Sequence, residues 1–201
     1  MRVFTYVIVH DDGSAPNYDA LMTTLAICKP RIRRSAEVGD LVMAFSSATL
    51  SPEPHSVRWA GVVAEKLTFS QYWNDPRFAS KKPARTQKSD NIYRPHDGGL
   101  MWVKNLVHGP DSAATDLSGE HVLCLAPLWQ FGDAAPVLPI EFGLRMVGGR
   151  RGHRVSQIGE STWQTLRNWL DEQTGREGGR ASRLEKRGRG CGPASPKNHN
   201  C

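Results

Sequence analysis

The sequence predicts an α+β domain: a strongly curved mixed sheet or small β-barrel, with peripheral helices and a disordered basic C-terminal tail. Three observations predict it. Apolar runs of strand length outnumber helical patterns. The one strong helical stripe comes late, where Trp163, Leu166, Trp169 and Leu170 recur at three and four residues. Residues 176–201 are rich in Gly, Arg, Pro and Ser and too poor in apolar side chains to fold. The 201 residues therefore divide into a domain, 1–174, and a tail, 175–201.

Residues 3–10, VFTYVIVH, form a first strand, apolar enough to be central. Asp11-Asp12-Gly13 and Ala15-Pro16-Asn17 make a loop. Residues 18–26 read as a short helix with Asn17 as N-cap. Cys28-Lys29-Pro30 stops it, because proline disfavours helix at the residue before it. Arg31-Ile32-Arg33-Arg34 continue as an extended basic stretch, and a turn at 37–40 launches the buried strand 41–45. After a proline-bearing loop, residues 57–67 form another strand, in which Gly61 marks a bulge or a close backbone approach. Residues 69–73 form a short helix after Thr68 or Ser70. A polar loop at 83–92 leads to strand and loop segments on either side of Gly98-Gly99. Residues 120–125 and 128–131 are the last core strands, and 162–173 the clearest helix, stopped by Gly175.

Of the net charge of +6, the tail supplies +5, so a case for a basic surface on the domain rests on local clusters. The four cysteines, Cys28, Cys124, Cys191 and Cys201, have no metal-ligand spacing. No signal peptide or membrane-spanning run stands out, so a cytoplasmic location without membrane contact is expected.

Four groups of residues carry candidate chemistry. The first is 28–34, where Lys29, Arg31, Arg33 and Arg34 build a local positive potential suited to phosphate. Cys28 beside Lys29 is a candidate nucleophile, or else a small buried hydrophobe, since the sequence shows no base partner. The second interleaves rings and cations: Tyr72, Trp73, Asp75, Arg77, Phe78, Lys81 and Lys82, with Asn74-Asp75-Pro76 as a turn. Rings stack on bases and cations take phosphates, although the same pattern fits a helix end packing its rings inward. The third, Asp90, Asn91 and Tyr93, either reads a base edge or satisfies loop backbone. The fourth is the histidines. None has paired spacing, so no metal site is expected and no cofactor is assigned. His10 with Asp12 is a candidate acid/base pair at the end of a strand, or simply part of a turn. The glycine-rich basic run at 148–154 suits phosphate approach but lacks the Lys-Ser/Thr ending of a nucleotide-hydrolysing loop.

Several strings together resemble a known family. They include Ala15-Pro16-Asn17, Thr24-Leu25-Ala26, Cys28-Lys29-Pro30, Val38-Gly39-Asp40 and residues 65–69 and 72–78. Lys81-Lys82-Pro83, residues 90–93, Gly98-Gly99, Asp116-Leu117-Ser118 and Phe131-Gly132 continue the set. In this order they resemble the nucleotide modification associated domain family, type 2, found in phages and bacteria. The resemblance implies a place in a DNA base hypermodification system and brings no catalytic residue with it. The pattern of two strands followed by a short helix is also similar to PUA-like domains that bind modified bases, an analogy of fold only.

The expected function is a nucleic-acid-associated domain that holds a nucleotide or modified base by stacking and a basic cleft. The alternatives are an enzyme of the same pathway using Cys28 or His10 and Asp12, or a structural partner that binds no nucleotide. Expected partners are DNA or a nucleotide, with other base-modification proteins as a further class.

Overall fold

The first apolar run becomes β1 (Arg2–Ile8), and the next elements are β2 (Thr23–Leu25), α1 (Pro30–Ser35), β3 (Leu41–Ser46) and β4 (Val57–Thr68). Then come α2 (Phe69–Asn74), a 3-10 segment (Pro76–Lys81), and a separate hairpin of β5 (Tyr93–His96) and β6 (Gly99–Trp102). The chain continues through α3 (Ala113–Leu117), β7 (His121–Gln130), β8 (His153–Gln157), α4 (Glu160–Thr174) and β9 (Arg180–Ser182). The computed structural model describes residues 1–18, 22–84, 88–147, 152–174 and 180–182. The rest of the tail expected to be disordered, and much of the glycine-rich basic run, lie outside the described residues.

The strands form one mixed sheet in the order β2-β7-β4-β3-β1-β8, with β9 also pairing β7. Among the described residues only β1 and β3 run parallel; the other pairs of this sheet are antiparallel. The sheet does not close into a barrel. Among the described residues β2 and β8 stand at opposite ends of the order and do not pair. Closure needs a full ladder along the seam, and β2 has only three residues. An open mixed sheet thus replaces the barrel alternative.

Two local expectations change as well. Residues 23–25, expected in a helix, form β2 on β7, and Asn17 bridges Thr24 instead of capping a helix. Thr23, Thr24 and Leu25 are all enclosed, and β-branched residues fit a pleated, buried surface better than a helix. Residues 31–34, expected to be extended, form α1. Pro30 sits in its first turn, where its fixed φ suits a helix start and its missing N–H costs nothing. Of the two starts the sequence left open for α2, Thr68 and Ser70, the structure takes Thr68, which caps the helix through a reciprocal box with Gln71. Gly61 does mark a close approach: a Cβ there would lie 3.1 Å from Leu125 Cβ, beside a shift in the β4–β7 register.

Alternation along the strands sorts the core into layers. On one face Phe4, Tyr6, Val42, Ala44, Trp59, Leu123 and Leu125 pack with Ile32 and Ala36 of α1. Val3, Leu41, Met43 and Trp129 meet Trp163, Leu166 and Leu170 of α4. Val122 and Cys124 of β7 meet a third cluster, made by Phe69, Tyr72, Phe78, Ile92 and Tyr93. The segments joining these layers carry the residues of greatest chemical interest.

Candidate active site at Cys28

Cys28 lies on the turn between β2 and α1, and both Cys28 (φ +57°) and Lys29 (φ +42°) take left-handed backbone. That conformation costs a non-glycine residue roughly 1–2 kcal/mol, so neighbours must hold it. The Cys28 N–H donates to Asp116 Oδ1 at 2.9 Å, and its carbonyl accepts from Arg33 Nε at 2.8 Å.

The polar partner of Cys28 that the sequence did not show comes from 80 residues further on. Cys28 Sγ lies 3.5 Å from His108 Nε2, and His108 Nδ1 lies 2.7 Å from Asp116 Oδ2. The loop holding His108 is pinned. Asn105 Oδ1 accepts from the N–H groups of Val107 and His108 at 2.8 Å each, and the His108 carbonyl accepts from Trp102 Nε1 at 3.0 Å. Asp116, on α3, is enclosed, and its Oδ2 also accepts from the Tyr93 hydroxyl at 2.8 Å. A thiol, an imidazole and a carboxylate therefore form one hydrogen-bonded chain, the arrangement that nucleophilic catalysis requires. Among the described residues no three acidic, thiol or imidazole groups are arranged to hold a metal ion.

The hydrogen bond to Asp116, and next the one to Cys28, push the His108 imidazole up to about 10. Burial raises the Asp116 carboxyl, but bonds from His108, the Cys28 N–H and Tyr93 outweigh it and leave the group below its ordinary value. At neutral pH the pair is an imidazolium against a carboxylate. Cys28 is half-buried and the His108 side chain is 21% exposed, whereas Asp116 is enclosed.

The ring-and-cation residues are placed differently. Tyr72 and Phe78 are fully enclosed and pack on each other at 4.7 Å between centroids, which leaves neither with a face open to a base. Asp90 is buried beneath them, accepting from the Tyr72 hydroxyl and the Thr24 hydroxyl, both at 2.7 Å, and burial pushes its carboxyl up to about 6. The Asn91 amide donates to the Tyr72 carbonyl. Lys81 is buried and donates to Asn17 at 2.8 and 2.9 Å. Arg77 pairs with both Glu65 and Asp75, and Asp75 also caps the 3-10 segment. Arg33 is buried, whereas Arg31 is exposed. Half-buried Trp73 carries the Lys82 ammonium 4.7 Å above its ring, and Lys29 lies 4.4 Å over Tyr6. Tyr93 alone of the third group joins the Cys28 site. Asp12 bonds Ser14 and pairs with Lys88 at 3.3 Å, and among the described residues no hydrogen bond joins it to His10.

Sequence reasoning held His108 only as one of the histidines and Asp116 only within a family string, and joined neither to Cys28. The only signal was an unmatched nucleophile together with a histidine and an aspartate elsewhere in the chain. A triad is recognised by geometry and not by spacing.

Residues 1–185 match the family described as nucleotide modification associated domain 2. No curated protein matches the chain. No solved structure matches it either. The match spans the sheet, helices α1 to α4 and every residue of the Cys28 chain. The protein belongs to the nucleotide modification associated domain 2 family.

Proposed function

We propose that this domain is a cysteine-dependent enzyme of nucleotide modification, with Cys28 as nucleophile, His108 as proton carrier and Asp116 as the group that orients His108. One observation carries the reading: the run from Cys28 Sγ to His108 Nε2 at 3.5 Å and from Nδ1 to Asp116 at 2.7 Å. The nucleotide part rests on family membership. In the first step the Cys28 thiolate, paired with protonated His108, uses a lone pair on Sγ to bond an electrophilic carbon of the substrate. The bond from that carbon to its leaving group breaks, and His108 Nε2–H gives the departing group a proton. An acceptor hydroxyl, amine or water then loses a proton to Nε2 as it attacks the same carbon, and the sulfur leaves as thiolate. Lys29, Arg31, Trp73 and Lys82, all at least partly exposed, are the residues of the expected binding set that would contact a nucleotide; Arg77 is exposed but paired with Glu65 and Asp75.

Alkylation of the full chain by iodoacetamide tests this, with the Cys28 peptide followed by mass spectrometry from pH 5 to 9. Cys28 should react at least about tenfold faster than glutathione at pH 6. His108→Ala should erase the difference. A Cys28 rate that tracks glutathione across the range would remove the nucleophile from the proposal.

A further inference from the structure

We propose that Arg33 is the positioning residue of the Cys28 site, and that Gly119 is the gap that admits it. The inference rests on the Cys28 reading and adds to it the device that holds nucleophile and carboxylate in one frame.

Arg33 lies in a run of basic residues that reads as a phosphate-binding stretch, yet its side chain is turned inward and wholly enclosed. Its donors go to backbone carbonyls, not to an acid. Nε donates to Cys28 at 2.8 Å, Nη1 to His121 at 2.7 Å and Nη2 to Asp116 at 2.5 Å. The guanidinium lies 5.5 Å over the Phe69 ring, which in turn meets Tyr93 edge-on at 5.4 Å. Three chain segments that converge at the site are thus tied to one planar group. Arginine offers donors in a fixed fork, and a lysine ammonium cannot span the same three oxygens. Burial pushes the guanidinium down to about 10, so it still carries its charge at neutral pH.

What Arg33 holds is the part of the site that needs holding. Cys28 and Lys29 are both left-handed, and a free chain would leave that conformation. The Cys28 residue is gripped at its N–H by the Asp116 carboxylate and at its carbonyl by Arg33. The Asp116 carbonyl is gripped by the same guanidinium. Nucleophile and carboxylate are therefore fixed relative to each other through one side chain, and His108 is hung between them. Gly119 completes the arrangement. A Cβ there would lie 2.4 Å from Arg33 Cζ and Nη1 and 2.6 Å from Nη2, so any side chain must displace the guanidinium.

The test uses Arg33→Lys and Gly119→Ala in the full chain. The first keeps a cation and loses the fork; the second keeps the fork and pushes it aside. Each is read by its thermal midpoint and by the pH profile of Cys28 alkylation with iodoacetamide. Both variants should slow Cys28 at pH 6 by about tenfold or more, with the profile moving toward that of glutathione. Leu166→Ala, which loosens the core under α4, should lower the midpoint and leave the profile alone. A lowered midpoint with an unmoved Cys28 profile in either folded variant would overturn the proposal. Failure of both variants to fold would also overturn it, by assigning Arg33 to stability alone. If the unsubstituted protein already tracks glutathione, it is the Cys28 reading that falls, and Arg33 has nothing to position.

Discussion

His108 ties the stability of the site to pH. Its folded-state value is raised, so its contribution is fully present below the ordinary histidine value of 6.5 and is lost as pH rises through about 10. The thermal midpoint of the unsubstituted protein should therefore exceed that of His108→Gln most at pH 6.5 and below. By pH 10 the gap should have nearly closed, as followed by differential scanning fluorimetry. A gap that widened with pH would contradict the imidazolium–carboxylate pair. At this scale the sequence was only partly legible. Cys28 stood out by its neighbours, but the imidazole beside it belongs to a residue whose own surroundings carry no motif. Tyr72 and Arg33 looked like surface chemistry because composition does not say which way a side chain points. The hydroxyl of Tyr72 is met by Asp90 and the fork of Arg33 by three carbonyls, which is how polar ends come to be buried.

Among the elements, α2 starts at Thr68, one of the two positions the sequence left open. Thr68 and Gln71 satisfy each other's backbone N–H groups across the first turn. Thr68→Ala should cost about 1 kcal/mol of unfolding free energy, measured by urea denaturation. No change would mean that the tertiary contacts of Phe69 and Tyr72 hold the helix by themselves. Elements that the sequence misassigned are those decided by long-range contact. Residues 23–25 become a strand because β7 offers them a partner 100 residues away in the chain (Thr24 opposite Cys124). Residues 31–34 become helical because Ile32 and Ala36 find the face of the sheet. Gly61 was readable for the opposite reason: a glycine inside an apolar strand announces a crowded neighbour before that neighbour is known.

Across the whole molecule, the cluster under α4 and the cluster around Tyr93 are separate, and only the second borders the Cys28 site. Leu166→Ala should destabilise the fold by about 2–5 kcal/mol in urea unfolding, with the Cys28 alkylation rate unchanged below the transition. A parallel loss of Cys28 reactivity would show that the two clusters act as one. The α+β class was legible because strand and helix periods are local. An open sheet instead of a barrel was not, since closure depends on whether β2 and β8 meet, and nothing in either strand specifies its outer neighbour. The left-handed backbone at Cys28 has a consequence for the domain's history. Glycine sits in that conformation without strain, whereas the sulfur comes only with a Cβ that resists it. Under the proposed chemistry, selection for durability and selection for reactivity would pull position 28 in opposite directions, and a copy relieved of that chemistry would drift toward the sturdier residue.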